Sequence, residues 1–139
     1  ELIESTKLNL QGARVVVVGA SNIVGKPVAV LLMRSNATVI SSNKFTLELS
    51  QLTRCADVVV AAAGVVGLVK GDWIKPGAVV IDVGIHRVTS PEGKTTTMGD
   101  VDFESVSKVA GFLTPVPGGV GPMTVAMLLR NVADACLKI

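Results

Sequence analysis

A loop dense in proline and glycine runs directly into an apolar helical pattern between Thr114 and Thr124, with the sequence TPVPGGVGPMT. Because proline fixes φ and glycine frees it, such a loop has a rigid shape whose backbone can approach a ligand closely. Pro122 lies where the first residue of a helix is expected, and a missing N–H costs nothing there. A ligand at this helix start would meet unpaired N–H groups and the positive end of the helix dipole. The segment therefore predicts a binding loop, with a stiff strand-to-helix connector as the alternative.

A second glycine-containing turn, Gly19–Gly25, follows a run of four valines and precedes a helical pattern. Gly19 allows a tight turn, Gly25 allows a helix to pack closely on a sheet, and the N–H groups between them would point at a pyrophosphate. Ser21 takes the place of the middle glycine in the usual Gly-x-Gly-x-x-Gly pattern, so the inference depends on the position of the turn between strand and helix. The turn predicts a dinucleotide site, and a nucleotide-free turn is the alternative.

The end of the second predicted strand bears on which dinucleotide would bind. An acidic residue there would bind the ribose 2′-OH of NAD, but residues 41–46 read SSNKFT. Lys44 is the cation placed to meet a 2′-phosphate, with a solvated loop lysine as the alternative. These residues favour NADP and leave NAD possible.

The elements that must position these loops alternate between apolar runs and helical patterns, which predicts a parallel sheet covered on both faces. The expected fold is α/β, a Rossmann-type, doubly wound, mostly parallel sheet in a single domain. Leu31 and Leu32 mark the apolar face of the first major helix, and Thr46 and Asp102 are expected to cap two others. Predicted strands cover 14–19, 37–41, 57–62, 78–83 and 111–114, helices cover 23–34, 46–54, 102–109 and 122–137, and an exposed hairpin covers 86–98.

Composition argues against several classes of function. The chain has 139 residues, the size of one ordinary domain, and a net charge of +2 without a basic block, which argues against nucleic acid or an anionic membrane as a partner. Its apolar runs are too short to span a bilayer, and no signal-peptide pattern is present. Cys55 and Cys136 lack metal-ligand spacing and are expected to be reduced residues in or near the core. We expect no metal and a cytoplasmic location, with an organellar matrix as the alternative.

Four motifs together resemble the bifunctional methylenetetrahydrofolate dehydrogenase/methenyltetrahydrofolate cyclohydrolase family. The resemblance covers essentially the whole chain and corresponds to the C-terminal, dinucleotide-binding domain of that family. Residues 1–5 read as the middle of an amphipathic helix, so we expect a fragment of a two-domain protein, with 1–139 as the NAD(P)-binding domain and the N-terminal folate domain absent. The motifs are Gly19–Gly25 followed by Lys26-Pro27, the stretch 80–85 (VIDVGI), the stretch 99–103 (GDVDF) and the run 114–124, which continues as VAMLLRN.

The resemblance implies two reactions on one folate, in one-carbon metabolism and purine biosynthesis. In such enzymes 5,10-methylenetetrahydrofolate gives up hydride to NAD(P)⁺, and the methenyl product adds water and opens to 10-formyltetrahydrofolate. The folate lies in a cleft between the two domains, and the nicotinamide comes from the domain represented here. The family also implies a homodimer formed through the cofactor domain, near the 86–98 hairpin.

Carried over motif by motif, the resemblance assigns two sets of site residues. The cofactor-binding residues are Gly19, Ala20, Ser21, Ile23, Lys44, Ile85 and Thr124. The loop that faces folate and nicotinamide consists of Pro117, Gly118, Gly119, Val120 and Gly121.

Three departures from the family pattern affect this assignment. Ala20 stands where many members have the arginine that pairs with the 2′-phosphate. The stretch 42–44 (SNK) replaces a Cys-His-Ser-type segment, and Lys44 could restore the lost charge as a point charge without a bidentate fork. His86 stands where asparagine is common; an exposed loop histidine is expected, with a changed nicotinamide-side contact as the alternative.

We expect none of the catalytic residues of the folate chemistry in this chain. The catalytic lysine and tyrosine of the family lie in the N-terminal domain, and this chain contains no tyrosine. Asp82 is the best-placed local acid, but we expect it and Asp100 to be structural and to bond nearby backbone N–H groups. The chain alone should therefore bind cofactor without catalysing the folate reactions.

Two other hypotheses stay open at this stage. Ala20 and the altered 42–44 segment favour a domain that has lost dehydrogenase activity and keeps a structural or nucleotide-binding role. An unrelated Rossmann oxidoreductase, such as a shikimate-dehydrogenase-like enzyme, is disfavoured because general dinucleotide binding does not demand the Thr114–Thr124 loop.

Overall fold

A five-stranded parallel sheet forms the centre of the computed structural model, which describes residues 1–137. The strands are β1 (Arg14–Val18), β2 (Thr38–Ser42), β3 (Val58–Ala61), β4 (Val79–Asp82), β5 (His86–Thr89), β6 (Thr95–Met98) and β7 (Phe112–Leu113). The sheet order is β2-β1-β3-β4-β7, while β5 and β6 form a separate antiparallel hairpin. The predicted fold class and the predicted hairpin are confirmed.

Helices cover both faces of this sheet. They are α1 (Leu2–Ser5), α2 (Gly25–Arg34), α3 (Leu49–Arg54), α4 (Phe103–Val106) and α5 (Val120–Cys136), with a 3₁₀ turn at Gly71–Trp73. On one face Val15, Val17 and Val60 pack against Leu32 of α2. On the other face Val16 and Val59 belong to a cluster that includes Val106 of α4 and borders α3. Burial on both faces explains why the central strands are continuous valine runs rather than alternating patterns.

Several helix predictions need correction. The third helix begins at Leu49 rather than at Thr46, because Glu48 adopts a left-handed conformation with φ 53° and ends the preceding loop. The Thr46 hydroxyl instead accepts the N–H of Asn43 within that loop. Helix α4 ends at Val106 rather than at 109, and the carboxylate of its N-cap residue Asp102 accepts the Ser105 hydroxyl instead of capping the backbone.

Burial also differs from the sequence-based prediction at three residues. Leu32 is buried, but Leu31 is 59% exposed because only one edge of the predicted apolar face meets the sheet. Cys55 and Cys136 are both exposed rather than in the core: Cys55 follows the last residue of α3, and Cys136 is the last residue of α5, a helix with no buried residue. The final helix begins at Val120, so Pro122 is its third residue rather than its first, still within the turn whose N–H groups lack helical partners.

Strand order places a crevice at the carboxyl edge of the sheet. The chain goes from β1 to β2 on one side of β1 and then returns to place β3 on the other side. The loops after β1 and β3 therefore leave the sheet in opposite directions, and ligands of open α/β sheets bind in such crevices. The Gly19–Gly25 turn follows β1 and lies at this position.

The two glycines of this turn are required by close backbone contacts. Gly19 has φ 107°, and a Cβ there would overlap the carbonyl of Ala62 at the end of β3. A Cβ on Gly25 would overlap the carbonyl oxygen of Gly19 itself. The close approach at Gly25 is thus between the start of α2 and its own turn, rather than between helix and sheet as expected from the sequence.

We predict that Gly25→Ala lowers the free energy of unfolding by about 3 kcal/mol, because the added methyl group forces the turn apart. Gly121→Ala is the matched control, since a Cβ at Gly121 meets no atom within 4 Å and its φ is ordinary. The control should leave stability unchanged or raise it by up to about 1 kcal/mol through helix propensity. Urea unfolding followed by circular dichroism measures both, and equal stabilities of the two variants would contradict the close contact.

Candidate functional site

The turn after β1 presents a row of free backbone donors at the crevice. Ser21 organises it: its hydroxyl accepts the N–H groups of Val24 and Gly25 at 3.2 and 3.3 Å, and its carbonyl accepts the N–H of Lys26 at 3.0 Å. Within residues 1–137, the N–H groups of residues 20–23 have no hydrogen-bond acceptor. Backbone N–H groups at the start of a helix favour an anion, so this turn can bind phosphate oxygens.

A cleft of about 440 Å³ lies beside this turn and extends to the loop after β2. Gly19, Ala20 and Ser21 line one side, and Lys44 lines the other. The structure therefore brings together four of the seven predicted cofactor-binding residues. Of the residues that the structure describes, no acidic one lines this cleft, and Lys44 is the charged side chain there.

Local hydrogen bonds hold the loop that carries Lys44. The Asn43 side-chain oxygen accepts the N–H of Phe45 at 2.9 Å, and the Asn43 N–H donates to the Thr46 hydroxyl at 2.9 Å. The Lys44 ammonium lies 5.0 Å from the centre of the exposed Phe45 ring, within cation–π range. Lys44 is thus a solvent-accessible cation at the tip of an ordered turn.

A second, smaller cleft of about 170 Å³ lies under the proline–glycine loop. All five predicted substrate-side residues line it, from Pro117 to Gly121, together with Ile85. The loop is anchored at its start, because the Thr114 hydroxyl accepts the N–H of Asp82 at 2.7 Å. The Val116–Pro117 peptide bond is cis.

The remaining two predicted cofactor residues, Ile23 and Thr124, lie elsewhere, along a groove of about 660 Å³ between α1, α2 and α5. The Ile23 side chain is 86% exposed, and the Thr124 hydroxyl donates to the carbonyl of Gly121. Val83 and Val120 line both this groove and the smaller cleft, so the two cavities are neighbours.

Asp82 ends β4 in a fully hydrogen-bonded environment. One carboxylate oxygen accepts the N–H groups of Gly84 and Asp100, each at 2.9 Å, and the other accepts the N–H of Val101 at 3.0 Å. Burial raises the pKa of Asp82 above its usual value; the three N–H donors oppose this rise, and the nearby Asp100 charge adds to it. The predicted bonding of Asp82 to nearby backbone N–H groups is confirmed.

Asp100 is fully buried and joins two loops at the carboxyl edge. One oxygen accepts the N–H of Gly64 at 2.8 Å, and the other lies 2.7 Å from Nε2 of His86. The prediction of an exposed loop histidine is therefore wrong, since the His86 side chain is only 22% exposed. The sequence analysis did not identify this pair. The available signal was that His86 and Val88 lie on the same side of a hairpin strand.

Among residues 1–137, the cleft under the proline–glycine loop can bind and orient a ligand but holds no acid or base that is free for proton transfer. The oxygens of Asp82 are occupied by backbone donors, and Lys44 lies in the cleft away from the proline–glycine loop. In the described part of the chain, no cluster of three or more His, Cys, Asp or Glu side chains could hold a metal ion. No helix among residues 1–137 is long and apolar enough to cross a membrane.

Comparison with known proteins agrees with this geometry. A family model described as "Tetrahydrofolate dehydrogenase/cyclohydrolase, NAD(P)-binding domain" matches residues 1–139. "Bifunctional protein FolD 2" of Arabidopsis thaliana is 52% identical over 141 residues, covering 100% of this chain and 47% of the relative. "Bifunctional protein FolD" of Paramagnetospirillum magneticum is 54% identical over 138 residues, covering 99% of this chain and 47% of the relative. The chain thus spans about half the length of these curated relatives.

Solved structures give the same result. A bifunctional FolD methylenetetrahydrofolate dehydrogenase/cyclohydrolase from Campylobacter jejuni superposes with a TM-score of 0.88 at 48% identity, covering 99% of this chain and 48% of that one. A Trypanosoma brucei methylenetetrahydrofolate dehydrogenase-cyclohydrolase, solved with NADP cofactor and inhibitor, has a TM-score of 0.87 at 47% identity and covers 94% of this chain and 45% of that one. The sequence match over all residues and the shared architecture lead to one conclusion: this chain belongs to the tetrahydrofolate dehydrogenase/cyclohydrolase family, as its NAD(P)-binding domain.

Proposed function

We propose that this chain binds NADP for a methylenetetrahydrofolate dehydrogenase/cyclohydrolase that oxidises 5,10-methylenetetrahydrofolate and hydrolyses the methenyl product to 10-formyltetrahydrofolate. The observation that carries the proposal is the row of free N–H groups at residues 20–23, at the point where strand order reverses. A family match over the whole chain and a relative solved with NADP support it.

The phosphate end of the cofactor fits the first cleft. The N–H groups of Ala20, Ser21 and Ile23 would hold the pyrophosphate, and Gly19 would let the backbone approach it. Lys44 would meet the 2′-phosphate as a point charge, in place of the arginine that position 20 lacks. These contacts bind the cofactor but leave the reacting ring outside the first cleft.

The nicotinamide end would lie against the second cleft. Ile85 would pack on the nicotinamide ribose, and the loop from Pro117 to Gly121 would face both the ring and the folate. Thr124 lies just inside α5, next to this loop. The bound nicotinamide supplies the hydride acceptor. The protein fixes its orientation and, with apolar residues such as Val83 and Val120, excludes water from one side.

The folate is shared, in this proposal, with an N-terminal domain that also supplies the catalytic residues. An uncovered apolar face on α5 supports the presence of such a partner, because this 17-residue helix has no buried residue. Its exposed side chains include Val125, Leu128, Leu129 and Val132. We further propose a homodimer near the β5–β6 hairpin and a cytoplasmic location, with an organellar matrix as the alternative.

The alternative of a domain that has lost activity rests on Ala20 and the 42–44 segment. The comparisons favour the enzyme, since relatives 52 to 54% identical carry the name of bifunctional proteins. A shikimate-dehydrogenase-like oxidoreductase is excluded by the family match over residues 1–139.

We predict that the chain binds NADP⁺ more tightly than NAD⁺ and that Lys44→Ala weakens NADP⁺ binding about tenfold, because one charge-assisted contact is lost. Raising the salt concentration should reduce the NADP⁺ preference, since an exposed ion contact is screened. Isothermal titration calorimetry at low and moderate salt measures both effects.

Lys94→Ala is the matched control for this titration, because Lys94 is an exposed lysine in the turn of the β5–β6 hairpin, outside the first cleft. Its Kd for NADP⁺ should equal that of the unaltered chain. An unchanged Kd in Lys44→Ala would contradict the assignment of Lys44. Absence of binding by either dinucleotide, with the fold intact, would favour the domain without activity.

We also predict that the isolated chain does not oxidise 5,10-methylenetetrahydrofolate, because among residues 1–137 the cleft under the proline–glycine loop holds no free acid or base. Spectrophotometric assay of NADPH formation at saturating NADP⁺ tests this. Adding the N-terminal half of a FolD relative is the positive control. Turnover by the chain alone would show that its own residues suffice for chemistry.

A further inference from the structure

Two buried aspartates tie three loops together at the carboxyl edge of the sheet. Asp82 receives N–H groups from Gly84, Asp100 and Val101. Asp100 then connects outward, to Gly64 after β3 and to His86 at the start of β5. The packing is tight, because a Cβ on Gly84 would overlap the Asp100 carboxylate.

Within this network, the contact between His86 and Asp100 is the one made between two side chains. The other oxygen of Asp100 accepts a backbone N–H, and we assign the carboxylate as acceptor at both oxygens, with His86 Nε2–H as the donor. The hairpin formed by β5 and β6 hydrogen-bonds to itself and not to the main sheet within residues 1–137. His86 is therefore a side-chain anchor of the hairpin base to the core.

Ile85 lies between two of these anchored residues. The N–H of Gly84 before it is held by Asp82, and the side chain of His86 after it is held by Asp100. Yet the Ile85 side chain is 65% exposed and lines the cleft under the proline–glycine loop. The two anchored neighbours therefore limit where the Ile85 side chain can lie relative to this cleft.

We propose that His86 is a positioning residue for the nicotinamide half of the dinucleotide: its hydrogen bond to Asp100 fixes Ile85 at the rim of the second cleft. The inference rests on the proposed dinucleotide function. It assigns His86 no contact with the cofactor and no proton transfer. The adenosine half, bound at Gly19–Ser21 and Lys44, lies in the other cleft and should not depend on His86.

Two variants separate the hydrogen bond from the bulk of the side chain. In His86→Gln the amide nitrogen can take the place of Nε2 and keep the donor, whereas His86→Leu removes it at similar size. Calorimetric titration with NADP⁺ and with 2′,5′-ADP, which lacks the nicotinamide half, gives two dissociation constants for each protein. If NAD⁺ proves to be the cofactor, NAD⁺ and 5′-ADP form the equivalent pair.

We expect His86→Leu to weaken NADP⁺ binding about tenfold while its Kd for 2′,5′-ADP stays within about twofold, and His86→Gln to restore NADP⁺ binding. Unchanged NADP⁺ binding in His86→Leu would overturn the proposal. Equal weakening of both ligands would also overturn it, because the role would then be general folding. If the unaltered chain binds 2′,5′-ADP and NADP⁺ with equal dissociation constants, the nicotinamide half adds no affinity; the positioning role is then wrong, although phosphate binding is retained. If the chain binds neither ligand, the proposed function itself is wrong.

A spectroscopic measurement checks the hydrogen bond directly. His86 is the single histidine of the chain, so its ring signals need no assignment by mutagenesis. A slowly exchanging Nε2–H resonance that disappears in Asp100→Ala, with the fold retained by circular dichroism, supports the donor geometry. A ring that exchanges as fast as free imidazole in the unaltered chain would overturn it.

Discussion

Burial of the valine-rich strands on both faces of the sheet determines where a ligand can reach polar groups in this domain. Val16 and Val59 face one helical layer and Val15 and Val58 the other, so the middle of the sheet carries no side chain free for a ligand. Polar groups can reach a ligand only where the strands end. Because all five strands are parallel, their carboxyl ends meet along one edge, and the reversal of strand order beside β1 opens that edge into a crevice.

Backbone donors and small residues dominate this crevice. The turn after β1 offers N–H groups rather than charged side chains, and Ser21 satisfies the donors of the next helical turn so that those at residues 20–23 stay free. Glycine at 19 brings this turn against the end of β3. Buried aspartates then hydrogen-bond to the neighbouring loops, and they hold these loops beside the candidate binding clefts.

The sequence predicted the sheet, its parallel character and the hairpin, because valine runs and glycine turns act locally. The sequence-based predictions were wrong where tertiary contacts determine the local structure or the burial of a residue. Thr46 looked like a helix cap, but the left-handed Glu48 delays the helix. His86 looked like a loop residue, but its partner Asp100 is distant in sequence and becomes adjacent only when the hairpin folds back. Cys55 and Cys136 were predicted to lie in or near the core, yet both are exposed in this half-length chain.

The central claim is that one dinucleotide spans the two clefts, with phosphates at the turn after β1 and nicotinamide at the proline–glycine loop. A crystal structure of the chain grown with NADP⁺ tests it most directly. The account predicts pyrophosphate oxygens within hydrogen-bond distance of the N–H groups of residues 20–23 and a nicotinamide ring beside Ile85 and Gly118. NADP⁺ bound with its phosphates away from the turn after β1, or at the hairpin alone, would contradict it.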